Sequence, residues 1–258
     1  MPFATASDGA RIHFEIGGAE SGRPLMLSNS LGTTLELWER QLGALASFRL
    51  IRFDTRGHGR SDAPEGEYAM DQLGRDALAV LDATGVGATA FCGVSMGGGI
   101  GQWLAVNAPD RIERLVLANT GAIFGAPDTW RQRIEAVTTG GMDAVAHTVI
   151  ERWFTPAFRE RDPTEVQRVL KMLLTSPPQG YVGCCAAIRD ADFRPLLGRI
   201  VAHTLVIGGT RDPATPPALA EELAAGIPGA KLLMIEAAHL SANEQPDVFN
   251  QAVIDFLR

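Results

Sequence analysis

Cysteine, long apolar runs and clusters of like charge are all scarce in this chain of 258 residues, and each shortage excludes something. Three cysteines, two of them adjacent at Cys184 and Cys185, cannot build a disulfide framework, and no Cys/His group has zinc spacing. A reducing, cytoplasmic compartment is expected. No apolar stretch approaches the roughly 18 residues of a membrane span, and the opening "MPFATASDGARIHFEIGG" lacks the basic start and apolar run of an export signal. With a formal net charge of -7 and no run of five like charges, neither nucleic acid nor an anionic membrane surface is an expected partner.

What is present suits one globular domain with a generous core, since 46% of the residues are hydrophobic and 21% charged. The chain opens as a hairpin: the turn residues Asp8 and Gly9 precede the alternating "RIHFEI" of Arg11 to Ile16. Short apolar runs follow at Pro24 to Asn29, Phe48 to Asp54, Ala88 to Ser95, Arg114 to Asn119, His203 to Gly209 and Lys231 to Glu236, each expected to be a strand buried on both faces. Helical patterns lie between most of them. Met70 to Gly85 places Leu73, Ala77, Leu78 and Leu81 on one face and stops at a glycine. Strands alternating with helices imply a mostly parallel sheet covered on both sides, with functional loops at the strands' C-terminal ends.

One interval breaks that rhythm. From about Phe124 to Gly198 the pattern is of short helices separated by "FTPAF", "RDPTE" and "TSPPQG", too long for an ordinary crossover. Residues 124–198 are therefore expected to form a helical cap over the strand ends of a core made from residues 1–123 and 199–258.

Gly93-Val94-Ser95-Met96-Gly97 fits G-x-S-x-G, with an apolar strand before it and a small-residue helix after it. A strand that turns sharply into a helix strains the corner residue, and small neighbours two positions either side leave space for the turn. The pentapeptide alone would also describe a serine capping a helix. A phosphate cradle is less well matched, because no Lys-Ser/Thr pair follows the glycines and no dinucleotide fingerprint is completed.

A nucleophilic serine needs a base, and the base an orienting acid, in the chain order Ser, Asp/Glu, His. Asp212 follows the strand "HTLVIGG", and His239 follows "KLLMIE". A parallel sheet brings both strand ends to the edge where Ser95 lies, so Ser95, Asp212 and His239 are the expected catalytic triad. The other histidines fail on position: His13 is in the hairpin, His203 starts its strand, and His147 is in the cap interval. His58, among glycines and ahead of the serine, reads as part of a structural turn. The amide of Met96 is one expected oxyanion donor, and that of Leu31, in the loop Ser30-Leu31-Gly32-Thr33, the other.

These residues, and the segments "LSNSLGTTLELW", "RFDTRGHGRSD", "GVSMGGGIGQWLA", "GGTRDPATPP" and "AAHLSANEQP", resemble the α/β-hydrolase superfamily over the whole chain and, within it, the 3-oxoadipate enol-lactonases. The resemblance implies an α/β fold with a mostly parallel eight-stranded sheet flanked by helices, a helical cap, and hydrolysis of 3-oxoadipate enol-lactone to 3-oxoadipate. It implies no cofactor and no metal. Haloalkane dehalogenases and epoxide hydrolases resemble the same fold but use an aspartate where Ser95 stands.

Such a substrate is small and anionic, and its carboxylate needs a positive group near the pocket. On a helix, Trp130 and Arg133 share one face and Arg131 turns away, which makes Arg133 the candidate anchor or else a solvated surface arginine. Trp153 and Trp38 are candidates for the pocket wall, or buried packing residues. A carboxylesterase, a carbon-carbon bond hydrolase of the same fold, or a slowly reacting ligand receptor would share the triad, since fold alone does not establish function. A monomer and a small homo-oligomer both stay open.

Overall fold

In the computed structural model, which describes residues 2–258, the opening hairpin and all six apolar runs are strands. The strands are β1 (Phe3–Thr5), β2 (Arg11–Gly18), β3 (Pro24–Ser28), β4 (Arg49–Phe53), β5 (Thr89–Val94), β6 (Ile112–Ala118), β7 (His203–Gly209) and β8 (Lys231–Ile235). They form one sheet in the order β1-β2-β4-β3-β5-β6-β7-β8. β2 runs antiparallel to β1 and β4, and every pair from β4 onward is parallel. This is the α/β-hydrolase architecture expected from the sequence.

The helices are α1 (Glu39–Leu42), α2 (Met70–Ala83), α3 (Met96–Asn107), α4 (Pro127–Gly140), α5 (Asp143–Trp153), α6 (Pro156–Arg161), α7 (Pro163–Thr175), α8 (Pro178–Arg189), α9 (Pro217–Gly226), α10 (Ser241–Glu244) and α11 (Pro246–Leu257). Between β6 and β7 the chain forms only helices α4 to α8 and one short 3-10 turn. On α2, Leu73, Ala77 and Leu81 are buried as the spacing predicts, but Leu78 is only partly covered. Val80 and Asp76 complete the inner face instead. Asp76 tolerates burial because the buried Arg56 guanidinium donates to both its oxygens at 2.7 and 2.8 Å.

Strand β5 is buried at every position, as expected of a central strand covered on both faces. Strand β8 departs from that expectation: Lys231 and Leu232 are exposed, because β8 ends the sheet and pairs only with β7. The register settles where the loops emerge. Val94 pairs with Ala118, Ala118 with Ile207, and Gly209 with Ile235, so β5 and β6 end level and β7 and β8 run two residues further along the same edge. Among the described residues, no helix is long and apolar enough to cross a membrane.

Candidate active site

Ser95 stands at the corner between β5 and α3 with φ 56° and ψ −116°, a backbone conformation that costs an L-residue about 1–3 kcal/mol. The surroundings impose it. The Ser95 amide donates to the Ala118 carbonyl at 3.0 Å, and its carbonyl accepts from the Gly98 amide and the Thr120 hydroxyl, both at 2.8 Å. The two flanking glycines are required by space: a Cβ on Gly93 would overlap the Gly97 carbonyl, and one on Gly97 would overlap the Ser28 carbonyl. The small residues read from the sequence thus permit the close approach of β3, β5 and α3 that creates the elbow.

The acid and histidine meet as the strand order requires. His239 Nδ1 lies 2.8 Å from Asp212 Oδ2, and both side chains are buried. Asp212 is held from several elements: Oδ1 accepts from the amides of Ala214 at 2.7 Å and Thr215 at 2.9 Å. Its Oδ2 also accepts from the Thr215 hydroxyl at 2.6 Å and from Asn119 Nδ2 at 3.1 Å. Burial alone would raise the carboxyl's pKa, but the charge of His239, its hydrogen bond and the Thr215 bonds outweigh it and lower the pKa to about 2. A carboxylate there accepts the Nδ1 proton and so leaves Nε2 as the ring nitrogen able to take one from a nucleophile. Among the described residues no hydrogen bond joins Ser95 to His239, but both line one cavity.

That cavity, of about 200 Å³, is also lined by Ser30, Leu31, Trp130, Arg133, Arg152 and Trp153. Leu31 lines the cavity with Ser95, and Met96 follows Ser95 at the start of α3. Their amides have no acceptor among the described residues, whereas the adjoining Gly32 and Gly97 amides donate to His58 Nε2 at 2.7 Å and to the Asn29 carbonyl at 3.0 Å. Two free amides next to a serine suit a developing oxyanion.

Trp130 and Arg133 share a face of α4, with the guanidinium carbon 4.9 Å from the indole centroid, and both reach the cavity. The indole nitrogen of Trp130 donates to the Phe124 carbonyl at 2.7 Å. Arg131 turns away and pairs with Asp128 at the surface. Trp153 serves both of its alternatives at once: it is buried, it lines the cavity, and its ring stacks on His239 with centroids 6.2 Å apart. Trp38 is a correction. It lies outside the cavity lining with no exposed surface, packed near Phe249, and its Nε1 donates to Asn29 Oδ1 at 2.8 Å.

Arg152, Asn119 and Thr215 escaped the sequence reading. Arg152 enters the cavity from α5 and donates to the Pro213 carbonyl at 3.0 Å; burial, and then the charge of Arg133, lower its pKa. Asn119, with φ 45°, ties Asp212 to the Ala238 carbonyl beside His239. A polar residue at the end of β6, level with the serine elbow, was its one sequence signal. The cysteines offer no rival nucleophile, since burial pushes the thiols of Cys92 and Cys184 well up and that of Cys185 up to about 12.

Known proteins share this fold. Residues 23–158 match the family described as alpha/beta hydrolase fold, and residues 179–258 match one described as TAP-like protein. The chain is 42% identical over 251 residues to 3-oxoadipate enol-lactonase 2 of Acinetobacter baylyi, covering 96% of this chain and 93% of that one. The crystal structure of the enol-lactonase from Burkholderia xenovorans LB400 superposes with a TM-score of 0.97 at 42% identity, covering 99% of both chains. A hydrolase from Pseudomonas aeruginosa PA01 superposes with a TM-score of 0.97 at 46% identity, covering 99% of this chain and 97% of its own. The chain belongs to the α/β-hydrolase family, and its full-length likeness places it with the 3-oxoadipate enol-lactonases.

Proposed function

We propose that the protein hydrolyses 3-oxoadipate enol-lactone to 3-oxoadipate, with Ser95 as nucleophile, His239 as general base and acid, and Asp212 orienting the imidazole. The Ser95 hydroxyl adds to the lactone carbonyl as its proton passes to His239 Nε2. The tetrahedral oxyanion lies against the amides of Leu31 and Met96. Collapse breaks the ring carbon–oxygen bond, and the expelled enolate takes a proton and becomes the 3-oxo group. Water, deprotonated by His239, then adds to the Ser95 ester and releases the second carboxylate, which returns the serine to its starting state.

The observation that carries this reading is the meeting of Ser95, His239, Arg133 and Arg152 in one cavity. In a chain with a net charge of -7, two guanidiniums lining one cavity suit an anionic guest. Arg133 is the proposed anchor for the substrate carboxylate, with Trp130 and Trp153 as walls. Residues 124–198 act in this reading as a cap, and three buried free cysteines go with a cytoplasmic location.

The test compares freshly generated enol-lactone with an uncharged aryl ester in the wild type and in Arg133→Gln. The variant should raise KM for the lactone by about 10- to 100-fold, the range expected for one lost charge-assisted hydrogen bond, and leave the ester unchanged. An enzyme that hydrolyses the ester well and ignores the lactone would keep the triad and overturn the substrate.

A further inference from the structure

The turn that carries Leu31 is held from behind by a histidine outside the triad. In Ser30–Thr33 the Thr33 amide donates to the Ser30 carbonyl at 3.2 Å. Gly32 has φ 77° and Leu31 does not have positive φ, the signature of a type II turn. A type I turn of the same four residues differs by rotation of the central Leu31–Gly32 peptide. The orientation of one peptide plane therefore decides which turn forms.

His58 touches that plane. The Gly32 amide donates to its Nε2 at 2.7 Å, while Nδ1 lies 3.1 Å from the Arg56 carbonyl. A carbonyl only accepts, so Nδ1 carries the ring proton and Nε2 presents its lone pair to Gly32. The Arg56 carbonyl is itself fixed, because its buried guanidinium is clamped between Asp76 and Asp8. A rotated Leu31–Gly32 peptide would take the N–H away from that lone pair and leave a buried acceptor facing a carbonyl oxygen. Gly32 has little room to shift in compensation, since it is wedged against Leu173 and Tyr181.

We infer that His58 is a positioning residue: by accepting the Gly32 N–H it anchors the Ser30–Thr33 turn at the residue after Leu31, and so holds in place the backbone that carries Leu31 in the cavity with Ser95. The inference rests on Leu31 as an oxyanion donor. Burial lowers the pKa of His58, against the opposing effects of the Arg56 backbone, Asp54 and the Thr55 backbone, which helps to keep Nε2 unprotonated. A histidine is well suited to the place because a fixed tautomer gives a rigid acceptor with no hydrogen of its own to offer.

The experiment measures lactone and aryl-ester turnover by wild type, His58→Phe, His58→Gln and Ser95→Ala. Weakening one of two oxyanion donors should lower kcat in His58→Phe by about 10- to 100-fold on both substrates, with KM changed less than about 3-fold. His58→Gln, whose amide oxygen can accept, should recover part of the loss. Wild-type kcat in His58→Phe beside an inactive Ser95→Ala would overturn the inference and leave the hydrolase reading intact. Independently of any variant, 15N spectra of the wild type should show His58 protonated at Nδ1 with Nε2 bonded to the Gly32 amide; an Nε2-protonated ring would overturn it.

Discussion

Among the described residues two buried Asp–His pairs lie beside cavities, and one of them shares its cavity with Ser95. His239 Nδ1 is 2.8 Å from Asp212 Oδ2, and His13 Nδ1 is 3.0 Å from Asp54 Oδ2. Both aspartates follow a parallel strand and both accept further backbone bonds, Asp54 from the amides of Leu35 at 2.8 Å and Arg60 at 3.0 Å. The pairs differ in what the second ring nitrogen meets. His239 lines a cavity with Ser95; His13 and Asp54 line a second cavity, but His13 Nε2 is itself buried without a partner. The hydroxyl near His13, that of Ser61, is engaged twice, accepting from the His13 amide at 2.9 Å and donating to the Asp54 carbonyl at 2.6 Å. An Asp–His pair beside a cavity is thus a structural clamp until an unengaged nucleophile adjoins it.

Exchanging the same residue in both places is the strongest way to break the comparison. His239→Gln should lower kcat on the lactone by about 10⁶-fold, the scale seen when a serine hydrolase loses its base. Asp212→Asn should cost about 10⁴-fold, since an amide supports the wrong imidazole tautomer while leaving the elbow and oxyanion amides in place. His13→Gln should leave kcat within about 2-fold and lower stability by about 1–3 kcal/mol, read as a fall in Tm, because Asp54 loses a buried partner. A His13 variant that lost activity while still folded would erase the distinction.

Acid titration sharpens the same contrast by a smaller effect. The folded-state pKa of Asp212 is lowered from 3.8 to about 2, so this group's stabilising contribution is present above pH 3.8 and is lost as the pH falls toward 2. Asp212→Asn should therefore show a shallower loss of unfolding free energy across that window than the wild type. Equal slopes in denaturant titrations at several pH values would contradict the assignment.

Most of the fold was legible because its signals are local. Apolar runs such as "ATAFCGVS" are short, bounded by turns and too hydrophobic to face water, and β5 follows from them directly. The elbow was legible for the same reason, as Gly93, Ser95 and Gly97 lie within five residues. Asp212 and His239 needed one step more, the alignment of parallel strand ends, which the register of β5 to β8 supplies. What stayed hidden depends on contacts between distant segments. Arg152 acquires its place by donating across to Pro213, and His58 acquires its partner from Gly32, with no pattern in either segment to announce it. Trp38 misled because nearness in sequence to the oxyanion loop is not nearness to the cavity: its indole turns inward to Asn29.

The most direct measurement is steady-state hydrolysis of 3-oxoadipate enol-lactone by wild type and Ser95→Ala, both shown to be folded by circular dichroism. Many equivalents of lactone should be consumed per wild-type chain, and Ser95→Ala should lose about 10⁶-fold in kcat. Turnover that survives in Ser95→Ala at the wild-type rate would remove Ser95 as the nucleophile and with it the chemistry assigned to His239 and Asp212.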